Sequence, residues 1–327
     1  MRSRRIFLAS VAFSTILGFA GSTAAQVYPS HPVTMVVPYP AGGPTDTIGR
    51  IMAEGLRVSL GQPVIIENVG GASGSIGTGR VARAAGDGYT LGLGLWPTHV
   101  VNGAVFTLPY DVLNDFQPIS LVATNPLLIV ARKSMPAKDL KELIAWLKAN
   151  PDKATAGTGG AGGASHVAGV YLQKETGARF QFVNYRGLGP AMQDLVAGQI
   201  DMIIDYAANA LPQVRAGTVK AYAVTAPNRL PAAPEIPSVD EAGLPGFYVS
   251  AWHAFFVPRG TPKSVVRKLN QAVMETLADP VVRRRLNDLG QEIYPREQQT
   301  PEALAAFHKA EIEKWWPMLK AAGIKPE

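Results

Sequence analysis

Two glycine-rich stretches carry the residue types and spacing best suited to chemistry. One is Pro38-Tyr39-Pro40-Ala41-Gly42-Gly43-Pro44-Thr45-Asp46, and the other is Thr158-Gly159-Gly160-Ala161-Gly162-Gly163-Ala164-Ser165-His166. Each follows a strand-like segment and leads into a helical pattern. Glycines at such a junction let the backbone turn back on itself so that successive N–H groups point into one space. The helix start adds partial positive charge, and both effects favour an anion. In the first stretch Gly43 reads as the N-cap and Pro44 as the first helical residue. Two such loops facing each other can pinch one carboxylate; the plainer reading of either loop alone is a tight turn.

Other chemistries are weaker. Gly157-Thr158-Gly159-Gly160-Ala161-Gly162 satisfies GxGxxG, but the strand about 20 residues on, Phe180 to Tyr185, ends without the acidic residue a ribose requires. The five histidines, His31, His99, His166, His253 and His308, lie in no metal-binding spacing, and neither Ser73 nor Ser165 lies in a GxSxG elbow. The chain has no Cys, which removes thiol nucleophiles, disulfides and thiolate metal sites. No cofactor, metal or catalytic residue is therefore expected.

The elements that must position these loops form an α/β series with largely parallel sheets. Val33 to Val37, Val64 to Ile66 and Leu91 to Leu95 read as strands, with Ile48, Ile51, Met52 and Leu56 on one helical face between them. A break is expected at Asn125-Pro126. Beyond it come Leu127 to Ala131, a helix around Leu140 to Leu147, strands near Phe180 to Val183 and Ile200 to Ile204, and Val219 to Thr225. A Pro-rich surface excursion covers Pro227 to Pro234. Helices are expected from Thr261-Pro262 and Asp279-Pro280, followed by a last amphipathic helix carrying Leu304, Phe307, Trp315 and Leu319 with Pro317 inside it.

A chain of 327 residues, 47% hydrophobic and 17% charged, has ample core for two domains. Its formal charge of +6 includes Arg2, Arg4 and Arg5; without them 28 basic residues face 25 acidic ones. That surplus of three is too small and too dispersed for nucleic acid, and Arg283-Arg284-Arg285 reads as a solvated helix face. Residues 1–25 follow the secretory pattern of a basic start, an apolar run from Ile6 to Ala20 and small residues before Gln26. Ser3-Arg4-Arg5-Ile6-Phe7-Leu8 also matches a twin-arginine signal, and both export routes remain open. The mature chain is expected to be periplasmic after cleavage near Gln26.

From about Tyr28 to Lys325 the chain resembles the Bug-type periplasmic solute-binding receptors of tripartite tricarboxylate transporters. The resemblance rests on Val37 to Asp46, Gly86-Asp87-Gly88-Tyr89-Thr90-Leu91, Leu108-Pro109-Tyr110-Asp111, Tyr185-Arg186-Gly187 with Pro190-Ala191, and Gly198-Gln199-Ile200-Asp201. Ala223-Val224-Thr225, Pro237-Ser238-Val239 with Glu241-Ala242-Gly243, and Gly260-Thr261-Pro262 complete it. It implies an α/β, two-lobed periplasmic binding protein with a ligand cleft between the lobes. The first lobe would comprise 26–124 and 226–327, and the second 125–225. Its two glycine loops would grip a ligand carboxylate through backbone N–H groups and ordered waters. Departures from the family pattern are Gly70 and Ser73, where Pro and Gly are usual, Tyr206 after Asp205, where Asn is common, and the bulky Trp96.

The resemblance makes the protein a non-catalytic receptor that hands a small organic carboxylate to membrane permease subunits, itself a monomer. A ligand-sensing adaptor for a sensor kinase and a secreted hydrolase are the alternatives. The common carboxylate falls to Tyr39, Pro40, Ala41, Gly42 and Gly43 and to Gly160, Ala161, Gly162, Gly163, Ala164, Ser165 and His166. Trp96, Thr98, Tyr185, Gly187, Asp205 and Tyr206 are the candidates for ligand shape and the distal group. Should the rings of Trp96, Tyr39, Tyr185 and Tyr206 converge, they would favour an aromatic acid over citrate. Asp46 is expected to cap its helix rather than touch an anion.

Overall fold

The computed structural model describes residues 28–160, 162–185, 187–321 and 323, so the export signal and Ala161 lie outside the described residues. The chain opens with β1 (Val33–Val37), α1 (Pro44–Leu60), β2 (Val64–Asn68), α2 (Ser75–Ala82) and β3 (Thr90–Leu95). A π-helical turn over Pro97–Val101 and a short α3 (Asn102–Val105) follow, then the long strand β4 (Phe116–Arg132). The middle of the chain comprises α4 (Leu140–Ala149), β5 (Thr155–Thr158), α5 (Ala164–Thr176), β6 (Gln181–Asn184), α6 (Leu188–Val196), β7 (Met202–Tyr206), α7 (Ala207–Arg215) and β8 (Val219–Val224). Last come β9 (Ser250–Pro258), α8 (Lys263–Ala278), α9 (Pro280–Asp288), β10 (Glu292–Ile293) and α10 (Pro301–Ala321).

The strands run in the order β2-β1-β3-β9-β4-β7-β5-β6, with β8 and β10 also paired to β4. Within each half the outer strands are parallel, as βαβ crossovers require. Every pairing of β4, and that of β3 with β9, is antiparallel, so the sheet is mixed rather than largely parallel.

The break expected at Asn125-Pro126 does not occur, because β4 runs straight through it and belongs to both halves. Up to Pro126 the strand pairs with β9; from Leu127 it pairs with β7. Proline lacks a backbone donor, and it stands where the strand changes partners. Leu230, Ala233 and Ile236 of the Pro-rich excursion pack with Leu195, Ile203 and Leu211 of the second half. The chain therefore stays with that half beyond Ala226 and rejoins the first at β9.

The helices follow their sequence signals closely. α1 buries Ile48, Ile51, Met52, Leu56 and Leu60 on one stripe, with Gly43 as N-cap and Pro44 in its first turn. It ends at Gly61 in the left-handed conformation, whose N–H reaches Arg57 O. Asp279 caps α9 by accepting from Val281 and Val282 N–H, whereas Pro262 is itself the cap of α8 and not its first residue. The strand Ser250–Pro258, absent from the expected elements, is buried almost throughout between β3 and β4.

Candidate functional site

Both glycine loops leave the C-terminal ends of parallel strands and open helices, one in each half of the sheet. Strand ends of this kind are where α/β folds collect ligands. The halves approach each other here: a Cβ on Gly162 would come within 4.0 Å of Val101 and 3.9 Å of Val105 in the first half. Tyr39 of the first loop and Tyr206 at the end of β7 are both half-buried. Burial pushes the Tyr206 phenol well above its ordinary pKa, and Tyr39 and Asp205 add to the rise. The Tyr39 phenol is likewise held up, first by burial and then by Tyr110.

The first loop is clasped from within. Asp46, 3% exposed, accepts from Gly42 N–H at 2.8 Å, Arg50 Nε at 2.9 Å and Asn68 Nδ2 at 3.0 Å. The Arg50 hydrogen bond above all holds its carboxyl down to about 2, against the opposing effect of burial. Asp46 thus fastens the loop to its helix. Asn68 also donates to Tyr39 O at 3.1 Å, anchoring the loop to the end of β2.

The second loop satisfies its glycines in the same inward manner. Gly159 N–H donates to Ser165 Oγ, Gly160 N–H to Thr158 Oγ1, Gly162 N–H to His166 Nδ1 and Gly163 N–H to Gly160 O. With Gly42 also engaged, the N–H groups of Gly42, Gly159, Gly160, Gly162 and Gly163 are turned to the loops themselves in this conformation. The first-turn donors of α1 and α5, which have no intrahelical acceptor, remain the natural partners for an anion. Pro40, Ala41 and Gly42 are exposed, Gly43, Gly160 and Gly163 half-buried, and Gly162, Ala164 and Ser165 buried. His166 is half-buried and meets Phe182 edge to face at 4.6 Å.

The other candidates divide sharply. Gly187 caps α6 at φ +110, with open space where a Cβ would lie. Tyr185 turns its hydroxyl away to Asp194 Oδ2 at 2.7 Å; burial, then that bond, pushes the phenol up to about 12. Asp205 is fully enclosed, accepting from Tyr206 N–H at 2.6 Å and Asn209 Nδ2 at 2.5 Å. Burial raises its carboxyl to about 7.

Thr98 and Trp96 lie in the core and not on the cleft surface, each 0% exposed. Thr98 Oγ1 is consumed locally, accepting from Leu95 N–H, donating to Leu95 O and meeting His99 Nδ1 at 2.9 Å. Trp96 packs edge to face on Trp315 of α10 at 5.1 Å. Burial raises the Glu311 carboxyl, opposed first by the Trp252 indole, then by Lys314 and by the indoles of Trp315 and Trp96. Of the three indoles, Trp252 completes a well-formed hydrogen bond, at 3.1 Å. The convergence of rings expected to select an aromatic acid therefore loses Trp96 to the core and Tyr185 to Asp194.

Three asparagines and Ser73 were not among the expected site residues. Asn68 and Asn209 hold Asp46 and Asp205, while Asn102 Nδ2 donates to Ser73 O at 2.9 Å and Ser75 Oγ at 3.0 Å. Asn209 lies four residues after Asp205, but Asp205 belongs to the end of β7 and Asn209 to α7, so no helical spacing linked them in the sequence.

A sheet shared by two halves, with a helix start from each half turned to one cleft, defines the class of two-lobed periplasmic solute-binding proteins. The chain belongs to the tripartite tricarboxylate transporter receptor family, whose model matches residues 48–324. The periplasmic binding protein BugD is 41% identical, with a TM-score of 0.78 over 92% of this chain and 100% of its own. MatC from Rhodopseudomonas palustris, solved with bound malate, is 42% identical, with a TM-score of 0.78 over 89% and 100% of the two chains. The R. palustris protein Rpa4515, solved with adipate, is 32% identical, with a TM-score of 0.80 over 92% and 100%. Among the described residues no helix is long and apolar enough to cross a membrane.

Proposed function

We propose that the protein is a periplasmic receptor that closes its two lobes over a small organic dicarboxylate and delivers it to the membrane subunits of a tripartite transporter. The observation that carries this reading is the pair of helix-start loops, one per half, with Tyr39 in the first and Tyr206 at the end of β7. One carboxylate is held by the first-turn N–H groups of α1 and α5 with Gly42, Gly43, Gly160 and Gly162 to Ser165 around it; Gly187 and Tyr206 bound the remainder. Three or four charge-assisted hydrogen bonds at about 1.5–3 kcal/mol each supply most of the roughly 8 kcal/mol of micromolar binding. Malate and adipate in two relatives support this ligand class.

The lobes divide within β4 at Asn125-Pro126 and again near Ser250, and closure bends the chain there. The protein acts as a monomer, is exported with cleavage near Gln26, and performs no turnover. In support of the last point, burial lowers the pKa of His99 and His308 and takes His253 down to about 4, so all three are neutral and enclosed. Ser165 is tied to the backbone of its own loop.

A thermal-shift screen of the purified protein against malate, succinate, adipate, citrate and benzoate tests the reading. A bound acid at 100 times its dissociation constant stabilises by about 2.7 kcal/mol. Absence of a shift with every dicarboxylate overturns the proposal, as does consumption of any of these acids.

A further inference from the structure

Beside the first glycine loop the chain adopts an unusual conformation. Gly71, Ala72, Ser73 and Gly74 all have positive φ, at +115°, +46°, +51° and +87°. Glycine tolerates this, but in Ala72 and Ser73 the Cβ crowds the neighbouring backbone, a conformation that persists only where the surroundings impose it. The surroundings do impose it. A Cβ on Gly74 would lie 2.7 Å from Thr98 Cγ2 and 3.1 Å from Pro38 O, and one on Gly70 3.0 Å from Pro40 Cδ. Ser73 O accepts from Asn102 Nδ2 at 2.9 Å and from Tyr39 Oη at 3.4 Å, which uses both of its lone pairs.

Serine in a left-handed turn commonly offsets the strain by bonding its hydroxyl to nearby backbone. Ser73 does not: it is exposed, and among the described residues its hydroxyl has no hydrogen-bond partner. A hydroxyl on a strained, doubly tied backbone, next to Tyr39 of the first loop, is available to a ligand held by that loop. No carboxylate is available there to balance an ammonium group, since Asp46 is taken by Gly42, Arg50 and Asn68, and Asp205 by Tyr206 and Asn209.

We propose that Ser73 is a specificity-determining residue of this site: its free hydroxyl hydrogen-bonds a hydroxyl on the carbon next to the gripped carboxylate, so the receptor selects α-hydroxy dicarboxylic acids. This rests on the receptor reading above. It accounts for a serine at a position whose backbone suits glycine.

Malate and succinate differ by that one hydroxyl, so calorimetry with both acids on the wild type, Ser73→Ala and Ser73→Gly tests the idea. The wild type is expected to hold malate about tenfold more tightly than succinate, the worth of one neutral hydrogen bond. Both variants should lose that preference to within about twofold while keeping their affinity for succinate. Without ligand, Ser73→Ala should melt with the wild type, and Ser73→Gly about 2 °C higher as the strain is released. A malate preference that survives Ser73→Ala, an equal loss of both acids, or a wild type indifferent to the hydroxyl overturns the proposal. A wild type that binds no dicarboxylate overturns the receptor reading and this proposal together.

Discussion

Replacing Asp205 by Asn should make the protein more stable, and by an amount that grows with pH. The Asp205 carboxyl is 0% exposed and is raised from its ordinary 3.8 to about 7 by burial, which the hydrogen bonds from Asn209 and Tyr206 only partly oppose. No cation contributes. Below pH 4 the group is protonated in the folded and unfolded chains alike and costs nothing. Between about 4 and 7 the unfolded chain releases the proton while the folded chain keeps it, so wild-type stability falls by about 1.4 kcal/mol per pH unit. Above 7 the penalty is constant at about 4 kcal/mol.

Asn is the same size and can still accept from Tyr206 N–H. Its amide needs Asn209 to turn and present its oxygen, which gives up the 3.3 Å contact from Asn209 Nδ2 to Leu188 O. That loss shifts the whole curve by about 1 kcal/mol without altering its slope. Urea unfolding of both proteins from about pH 4.5 to 8 isolates the titration, because every other group cancels in the difference. The advantage of Asp205→Asn should widen by about 3 kcal/mol over that range and level off near pH 7. A difference independent of pH, or one that shrinks as pH rises, refutes the reasoning.

Gly42→Val and Gly160→Val should each abolish dicarboxylate binding in calorimetry while circular dichroism shows a folded chain. Both positions have positive φ, +83° and +120°, with no protein atom within 3.7 Å of the added Cβ, so the branched side chain occupies the space a ligand would enter. Unchanged affinity in both variants removes the two-loop grip. Trp96→Ala should lower stability by about 3–5 kcal/mol in urea unfolding, since the indole is enclosed against Trp315, and should leave the ratio of benzoate to citrate affinity unchanged. A changed ratio would return Trp96 to the cleft. N-terminal sequencing of the exported protein should begin within a few residues of Gln26, and an intact Met1 would contradict the export reading.

Both loops, most strand and helix positions and the assignment of Asp46 to its helix start were legible in the sequence, because glycine junctions, N-cap patterns and apolar periodicity are local signals. The same holds for Asp279 and for the stripe Ile48, Ile51, Met52 and Leu56 on α1. Tertiary structure decided which of the candidate side chains meet the cleft. Trp96 and Thr98 follow a strand end, as ligand residues often do, yet Trp315, more than 200 residues away in the chain, claims Trp96 for the core, and Leu95 consumes the Thr98 hydroxyl. Tyr185 is lost to Asp194 in the same way. The passage of β4 through Pro126 depends on β9 and β7 taking over from each other as partners, which a local Asn-Pro signal cannot contain. Sequence encodes the conformations available to each segment; the direction in which a side chain at a strand end turns depends on contacts made only when distant segments pack.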